Sequence, residues 1–294
     1  PYVQVTQPRP GVMAFIDKFK WMIGVLVDYN ACQRIAYENV EDAFRKKIDY
    51  VELRFSPWFM AEPHGLDPIG VVEAVVDGIE RGRRDFPVMV NLIGIISRTY
   101  GPETGWTELN ALLTHQKDLV GVDLAGDEAN CPGNLFVEHI QKARNAGLKI
   151  TIHAGEETGP ESIWQALEEL QANRIGHGIS AAQDPKLMAY LAQNQICLEV
   201  NLTSNLQTNV VPDLASHPLR KFLENDILAT INTDDPGISG IDLAHEYNIA
   251  APAAGLTPQQ IAQAQRNAFK VAFLSPKQRD NLRKQQDKYR QHKK

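Results

Sequence analysis

Leu148-Lys149-Ile150-Thr151-Ile152-His153-Ala154-Gly155-Glu156 decides the fold. An apolar, β-branched run ends abruptly in a histidine, two small residues and a glutamate. It reads as a buried strand whose last side chain turns into a pocket, with a carboxyl group just beyond it on the loop. The same arrangement returns at Arg174-Ile175-Gly176-His177-Gly178 and at Ile231-Asn232-Thr233-Asp234-Asp235-Pro236. Packing alone gives no reason for three strand tips of this kind in one chain.

Working outward, apolar strands alternate with amphipathic helical patterns from about residue 50. Strands are expected at Tyr50–Phe55, Val88–Ser97, Leu119–Ala125, Leu148–Ala154, Arg174–His177, Ile196–Leu202 and Ile227–Thr233. Helical patterns fill the intervals, among them Pro68–Arg84, Asn134–Ala146, Pro160–Gln171 and Asp184–Asn194. Pro160 suits a first helical turn, Gly147 a helix stop, and Asp184-Pro185 an N-cap followed by the first helical position. Such alternation implies a parallel sheet with crossover helices. An open doubly wound sheet concentrates its chemistry at one switch point, whereas a (β/α)8 barrel brings every strand tip to one mouth. Chemistry at four or more tips favours the barrel. Seven strands are one short of closure, so a first strand upstream of Pro1 is expected. The chain is expected to be a single barrel domain over 1–294, incomplete at its N-terminus, with a helical C-terminal segment from about 241.

The 294 residues suffice for one such domain, and 43% hydrophobic with 22% charged residues is ordinary for a globular chain. A net charge of −6 argues against nucleic acid or anionic membrane as the main partner. Cys32, Cys131 and Cys197 form no CxxC pair, which argues against a disulfide framework or thiolate zinc site and points to a reducing cytoplasm. No apolar run is long enough to span a membrane. Pro1-Tyr2-Val3-Gln4-Val5 has neither a methionine nor a signal-like pattern and reads like the middle of a protein. The Lys-, Arg- and Gln-rich tail from Lys277 to Lys294 is expected to be a solvated helix rather than a nucleic-acid patch.

His153, at a strand tip beside Gly155 and Glu156, is a candidate metal ligand, since neutral imidazole suits Zn2+ and a carboxylate can complete the set. Asp234 and Asp235 can divide two roles, one binding metal and taking a proton from water, the other contacting substrate. His177, flanked by glycines, can orient or stabilise the attacking group. Gly126 either permits a positive φ at a turn or exposes a backbone N–H to a ligand; the sequence leaves both open. His64, His115, His139, His217, His245 and His292 are expected in surface or capping roles. There is no Walker loop, Ser-His-Asp grouping or GxGxxG after a strand.

Together Asp123-Leu-Ala-Gly-Asp-Glu128, His153-Ala-Gly-Glu156, Arg174-Ile-Gly-His-Gly178, Leu202-Thr-Ser-Asn205, Asn232-Thr-Asp-Asp-Pro236 and Tyr50-Val-Glu-Leu-Arg-Phe-Ser-Pro57 resemble the adenosine deaminase family, in its bacterial form, within the amidohydrolase superfamily. The likeness covers nearly the whole chain, in the family's order and spacing. It implies a metal-dependent TIM barrel that converts adenosine or 2′-deoxyadenosine to inosine or 2′-deoxyinosine and ammonia in purine salvage. It implies one Zn2+, with His153 and Asp234 as ligands, Asp234 also acting as base, Glu156 as the acid protonating purine N1, and His177 positioning the hydroxide. Asp235 would contact N7, and Gly126 would reach N3 through its backbone. Ile16 and Phe19, on a helix Phe15–Phe19, would form an apolar flap over the nucleoside. The family's His-x-His pair occurs nowhere in the chain; the resemblance places it on the strand expected before Pro1. Alternative readings are a deaminase of adenine, AMP or an adenosine conjugate, and a nucleoside-binding barrel without catalysis. The expected partner is a small purine nucleoside, with no nucleic acid or membrane and a monomeric state.

Overall fold

The computed structural model describes residues 3–5, 7, 8 and 11–292. The first two residues of the opening stretch and the last two of the basic tail lie outside the described residues. Seven parallel strands follow one another in order: β1 (Tyr50–Phe55), β2 (Met89–Ser97), β3 (Leu119–Ala125), β4 (Lys149–Ala154), β5 (Arg174–His177), β6 (Cys197–Val200) and β7 (Leu228–Ile231). Every expected strand is present. The last two are shorter than the apolar runs suggested: Leu202 begins the helix Leu202–Gln207, and Asn232-Thr233 leave the ladder to form part of the mouth. Strands β2 to β7 are buried nearly throughout and β1 is half-buried, because helices cover the outer face and side chains, several of them charged, fill the inner one.

Ion pairs across the interior require the sheet to curl. In a flat sheet at about 4.8 Å per strand, β1 and β6 would stand about 24 Å apart. Yet Arg54 of β1 donates to Glu199 of β6 at 2.6 Å, and Arg174 of β5 donates to Glu52 of β1 at 2.5 Å. The sheet is therefore a barrel wall whose inward residues meet, with β1 and β7 at its edges among the described residues.

The connecting helices begin and end where local chemistry dictates. Asp184 accepts from the backbone N–H groups of Lys186 and Leu187 and caps Pro185–Asn194, and Pro160 opens Pro160–Glu168. The helix Val137–Asn145 is followed by Gly147 at φ +85°, and Leu148 N–H returns to Ala143 O at 3.2 Å, so the chain enters β4 directly. The expected helix Phe15–Phe19 is instead two short ones, Val12–Ile16 and Phe19–Ile23, parted at Asp17-Lys18. Among the described residues no helix is long and apolar enough to cross a membrane.

Candidate active site

The inner layer of the barrel prepares His153. Arg54 donates to Asp123 at 2.7 Å, and Asp123 Oδ1 lies 3.0 Å from His153 Nδ1. Burial alone would push the Asp123 carboxyl up, but His153 and Arg54 outweigh it and hold it well below the usual carboxylate range. An ionised Asp123 accepts the Nδ1 proton and leaves His153 Nε2 bare, the arrangement a metal-ligating imidazole requires. Arg98, itself buried, donates to the carbonyls of Leu124 (3.1 Å) and His153 (2.8 Å) and ties the tips of β3 and β4 together.

His177 and Asp234, at the tips of β5 and β7, both have left-handed backbones, with φ +59° and +54°. Such conformations are uncommon outside glycine and gather at functional sites, where the surroundings hold them. His177 Nε2 is 3.8 Å from Asp234 Oδ2, and one ligand atom from each of His153, His177 and Asp234 fits within 4.8 Å of the others. The imidazole of His153 and the carboxylate of Asp234 are donor chemistry suited to a divalent transition metal, with His177 close enough to touch what such an ion binds, so the residues present fit one. Asn205 Nδ2 lies 2.9 Å from His177 Nδ1 on the ring's far side.

Glu156 stands beside this group, its side chain 8% exposed and Oε1 3.4 Å from His177 Nδ1. Burial, with the negative charges of Asp234, Glu128 and Glu157, holds its carboxyl well above the usual range. Its loop is stapled by Glu128, whose carboxylate accepts from the backbone N–H groups of Gly155 (2.5 Å), Glu156 (3.1 Å) and Glu157 (3.0 Å) and from the Thr158 hydroxyl (2.6 Å). Asp235 is likewise raised well above the carboxylate range, by burial first and by Asp234 second.

Gly126 has φ +103°, and a Cβ there would collide with Thr99 Oγ1, which accepts from Asp127 N–H at 3.0 Å. The turn alone therefore accounts for this glycine. Ile16 and Phe19 are half-buried. Phe19 packs edge-on against Phe15 and Phe59, both at 6.0 Å, and with Phe15 joins a cluster containing Ile238 of the short helix Pro236–Ser239 that follows Asp235. Val12 N–H donates to Glu157 at 2.7 Å, and Gly11 N–H to Thr208 O at 3.2 Å, so this segment is fastened to the loops beyond β4 and β6.

The family model for adenosine deaminase matches residues 1–289. The chain belongs to the adenosine deaminase family. It is 55% identical to the adenosine deaminase of Vibrio cholerae over 96% of its own length and 84% of the relative's, and 54% identical to that of Yersinia pseudotuberculosis over 96% and 85%. Among solved structures it superposes on an adenine deaminase from Arthrobacter aurescens with a TM-score of 0.87 at 25% identity, covering 93% of this chain and 83% of that one. It also superposes on the apo N6-methyl-AMP deaminase of Arabidopsis thaliana with a TM-score of 0.83 at 25% identity, covering 95% and 84%. The fold is thus that of the TIM-barrel amidohydrolases, and the chain is a hydrolytic deaminase.

Sequence reasoning overlooked Glu128, Arg98, Asn205 and His217. Glu128 ended a quoted motif, yet its role depends on backbone donors some 27 residues away. His139 and His217 are buried rather than superficial, His139 stacked on Trp106 at 3.9 Å and His217 against Asn205. His139 lies on the buried face of the helix Val137–Asn145 with Ile140 and Ala143, whereas no periodicity marks His217, on a loop, as inward-facing.

Proposed function

We propose that the chain hydrolyses adenosine and 2′-deoxyadenosine to inosine, or 2′-deoxyinosine, and ammonia, serving purine salvage in the cytoplasm with one Zn2+. The observation that carries this reading is Glu156: a buried carboxyl whose hold on its proton is strengthened by burial and by neighbouring negative charge, beside His177 and the Asp234-Asp235 pair. Attack at C6 destroys the aromaticity of a neutral purine unless a ring nitrogen is protonated, and only an acid still carrying its proton at neutral pH can do that. Curated relatives at 55% identity that carry the name adenosine deaminase support the choice of substrate.

His153 and Asp234 would hold the zinc, whose Lewis acidity brings a coordinated water's pKa from about 15.7 toward about 7. Glu156 gives its proton to N1. Asp234 accepts the proton of the attacking water. Asp235, protonated because of its burial and its neighbour, donates to N7, which can only accept. Gly126 offers its backbone N–H to N3. Ile16 and Phe19, in the segment fastened over the mouth, exclude water from the base. His177 holds the attacking oxygen in line with C6. Asp234 returns that proton to the 6-amino group, which leaves as ammonia; the hydroxyl proton at C6 passes back to Glu156, the N1 proton stays, and the oxygen of water remains on C6.

The test is ammonia release from adenosine, 2′-deoxyadenosine, adenine and AMP by the purified protein supplied with zinc. Adenosine and its deoxy form should react best, and Glu156→Gln should lower kcat at least 10^3-fold, since an amide cannot supply the proton. Preferential turnover of adenine or AMP would overturn the substrate assignment.

A further inference from the structure

A hydrogen-bond chain enters the site from behind. Leu219 N–H, in the first turn of the helix Leu219–Glu224, donates to His217 Nδ1 at 3.1 Å. A backbone N–H only donates, so Nδ1 is the bare nitrogen of a neutral His217 and its proton sits on Nε2. His217 Nε2 is 3.2 Å from Asn205 Oδ1. This fixes the amide oxygen of Asn205 toward His217 and its NH2 toward His177, where Nδ2 meets Nδ1 at 2.9 Å. His177 Nδ1 therefore accepts. The ring's own proton lies on Nε2, the nitrogen that faces Asp234 at 3.8 Å.

We propose that His217, acting through Asn205, is a positioning residue that locks His177 in its Nε2–H tautomer, so that His177 offers a donor and not a base to the attacking water. The inference rests on the deamination proposed above and deepens it, because the proton of water must then go to Asp234. Burial works on all three side chains, which are 3% exposed at His217, 0% at Asn205 and 1% at His177. Burial lowers the pKa of His217 to about 3, so that ring is neutral at pH 7 and its tautomer is chosen by its partners. Asn201 does not make the choice: its Nδ2 lies 3.4 Å from Nδ1 and 3.3 Å from Nε2 of His177, almost equally placed between them. Glu156 Oε1 stands farther off, 3.4 Å from Nδ1 against 2.9 Å for Asn205 Nδ2, and accepts from Asn205 Nδ2 and Thr208 Oγ1 at 3.5 Å. A relay of fixed donors and acceptors in a buried setting specifies orientation more strongly than any one of its bonds.

The experiment combines tautomer assignment with kinetics. Long-range 1H–15N spectra of the metal-free protein labelled in its histidines should show His177 with the proton on Nε2. Asn205→Asp replaces the donor by a carboxylate that only accepts, so the proton should move to Nδ1. Inverting the tautomer of a catalytic imidazole through its partner costs about 10^4-fold in kcat in serine proteases; here kcat for adenosine should fall by about 10^2- to 10^4-fold while KM changes less than about threefold. His217→Gln keeps a donor and an acceptor and should stay within about tenfold of wild-type kcat with the same spectrum. His217→Phe frees the Asn205 amide to turn and should give mixed tautomers and a larger loss. This second pair leaves the ring of His177 and its immediate partner in place, so it decides the matter if Asn205→Asp does not fold. An Nε2–H signal that persists in both Asn205→Asp and His217→Phe would overturn the proposal. A wild-type Nε2–H signal lost in His217→Phe, in a protein releasing no ammonia from adenosine, would uphold the relay and overturn the substrate reading instead.

Discussion

At Gly126 two constraints coincide: a backbone at φ +103°, and Thr99 Oγ1 where a Cβ would stand. A left-handed backbone costs a residue bearing Cβ about 1–2 kcal/mol before any collision. Gly126→Ala should therefore destabilise the protein by about 1–3 kcal/mol in urea unfolding. Thr99→Ala removes the obstructing oxygen but also the acceptor of Asp127 N–H. The double variant should consequently recover part of the loss, a coupling read directly from the double-mutant cycle. Additive losses would show that the two atoms do not compete. Such a position is half-legible: the glycine after an apolar strand signals a special turn, but the obstructing hydroxyl comes from the preceding strand's loop and leaves no mark in the local sequence.

Among elements, strands were the most legible and their inner faces the least. Val122 and Leu124 announce β3 as buried, yet Asp123 between them is a charge inside the barrel, tolerable only because Arg54, from a distant stretch of chain, meets it. The motif histidines and acids could be named because a polar residue at the end of an apolar run has few structural explanations. Their supports could not, because Glu128, Arg98 and Asn205 act on groups that only the folded chain brings near. The flap shows a further difficulty: five-residue helices carry too little periodicity to reveal the break at Asp17-Lys18. Two predictions belong here. Arg54→Met leaves Asp123 with His153 alone and Glu199 with Arg174 and Thr151, and should cost about 3–5 kcal/mol; a change under 1 kcal/mol would show the interior charges to be solvated. Glu128→Gln leaves one acceptor oxygen among several donors, so hydrogen exchange over residues 155–158 should quicken and kcat fall by about tenfold or more. Unchanged exchange would deny the staple its role.

Across the whole molecule, buried carboxyls divide into two sets with opposite pH responses. Glu108 and Glu246 are wholly buried, and desolvation raises each to about 7 despite hydrogen-bond donors that pull the other way. A carboxyl raised in the fold binds its proton more tightly there than in the unfolded chain. Its contribution is therefore full below about pH 4.5 and drains away as pH rises toward 7, by up to about 3 kcal/mol each at 1.36 kcal/mol per pKa unit. Glu199 is the opposite case: burial opposes its ionisation, but Arg174 and Arg54 prevail and bring it to about 2. Its contribution is full above about pH 4.5 and is lost as pH falls toward 2. Glu128, also lowered through donors from Ser162 and Thr158 that outweigh burial, acts in the same direction. The metal-free protein should thus be most stable near pH 5, losing stability toward pH 8 as well as toward pH 3. Denaturant unfolding at pH 3, 5 and 8 measures both limbs. Glu108→Gln carries no titrating group, so whatever it costs at pH 5, its further loss between pH 5 and 8 should be smaller than wild type by roughly the Glu108 share. Parallel curves for the two proteins would mean that Glu108 is ionised in the fold at neutral pH, its three donors from Ser56, Trp58 and Ser97 outweighing its burial.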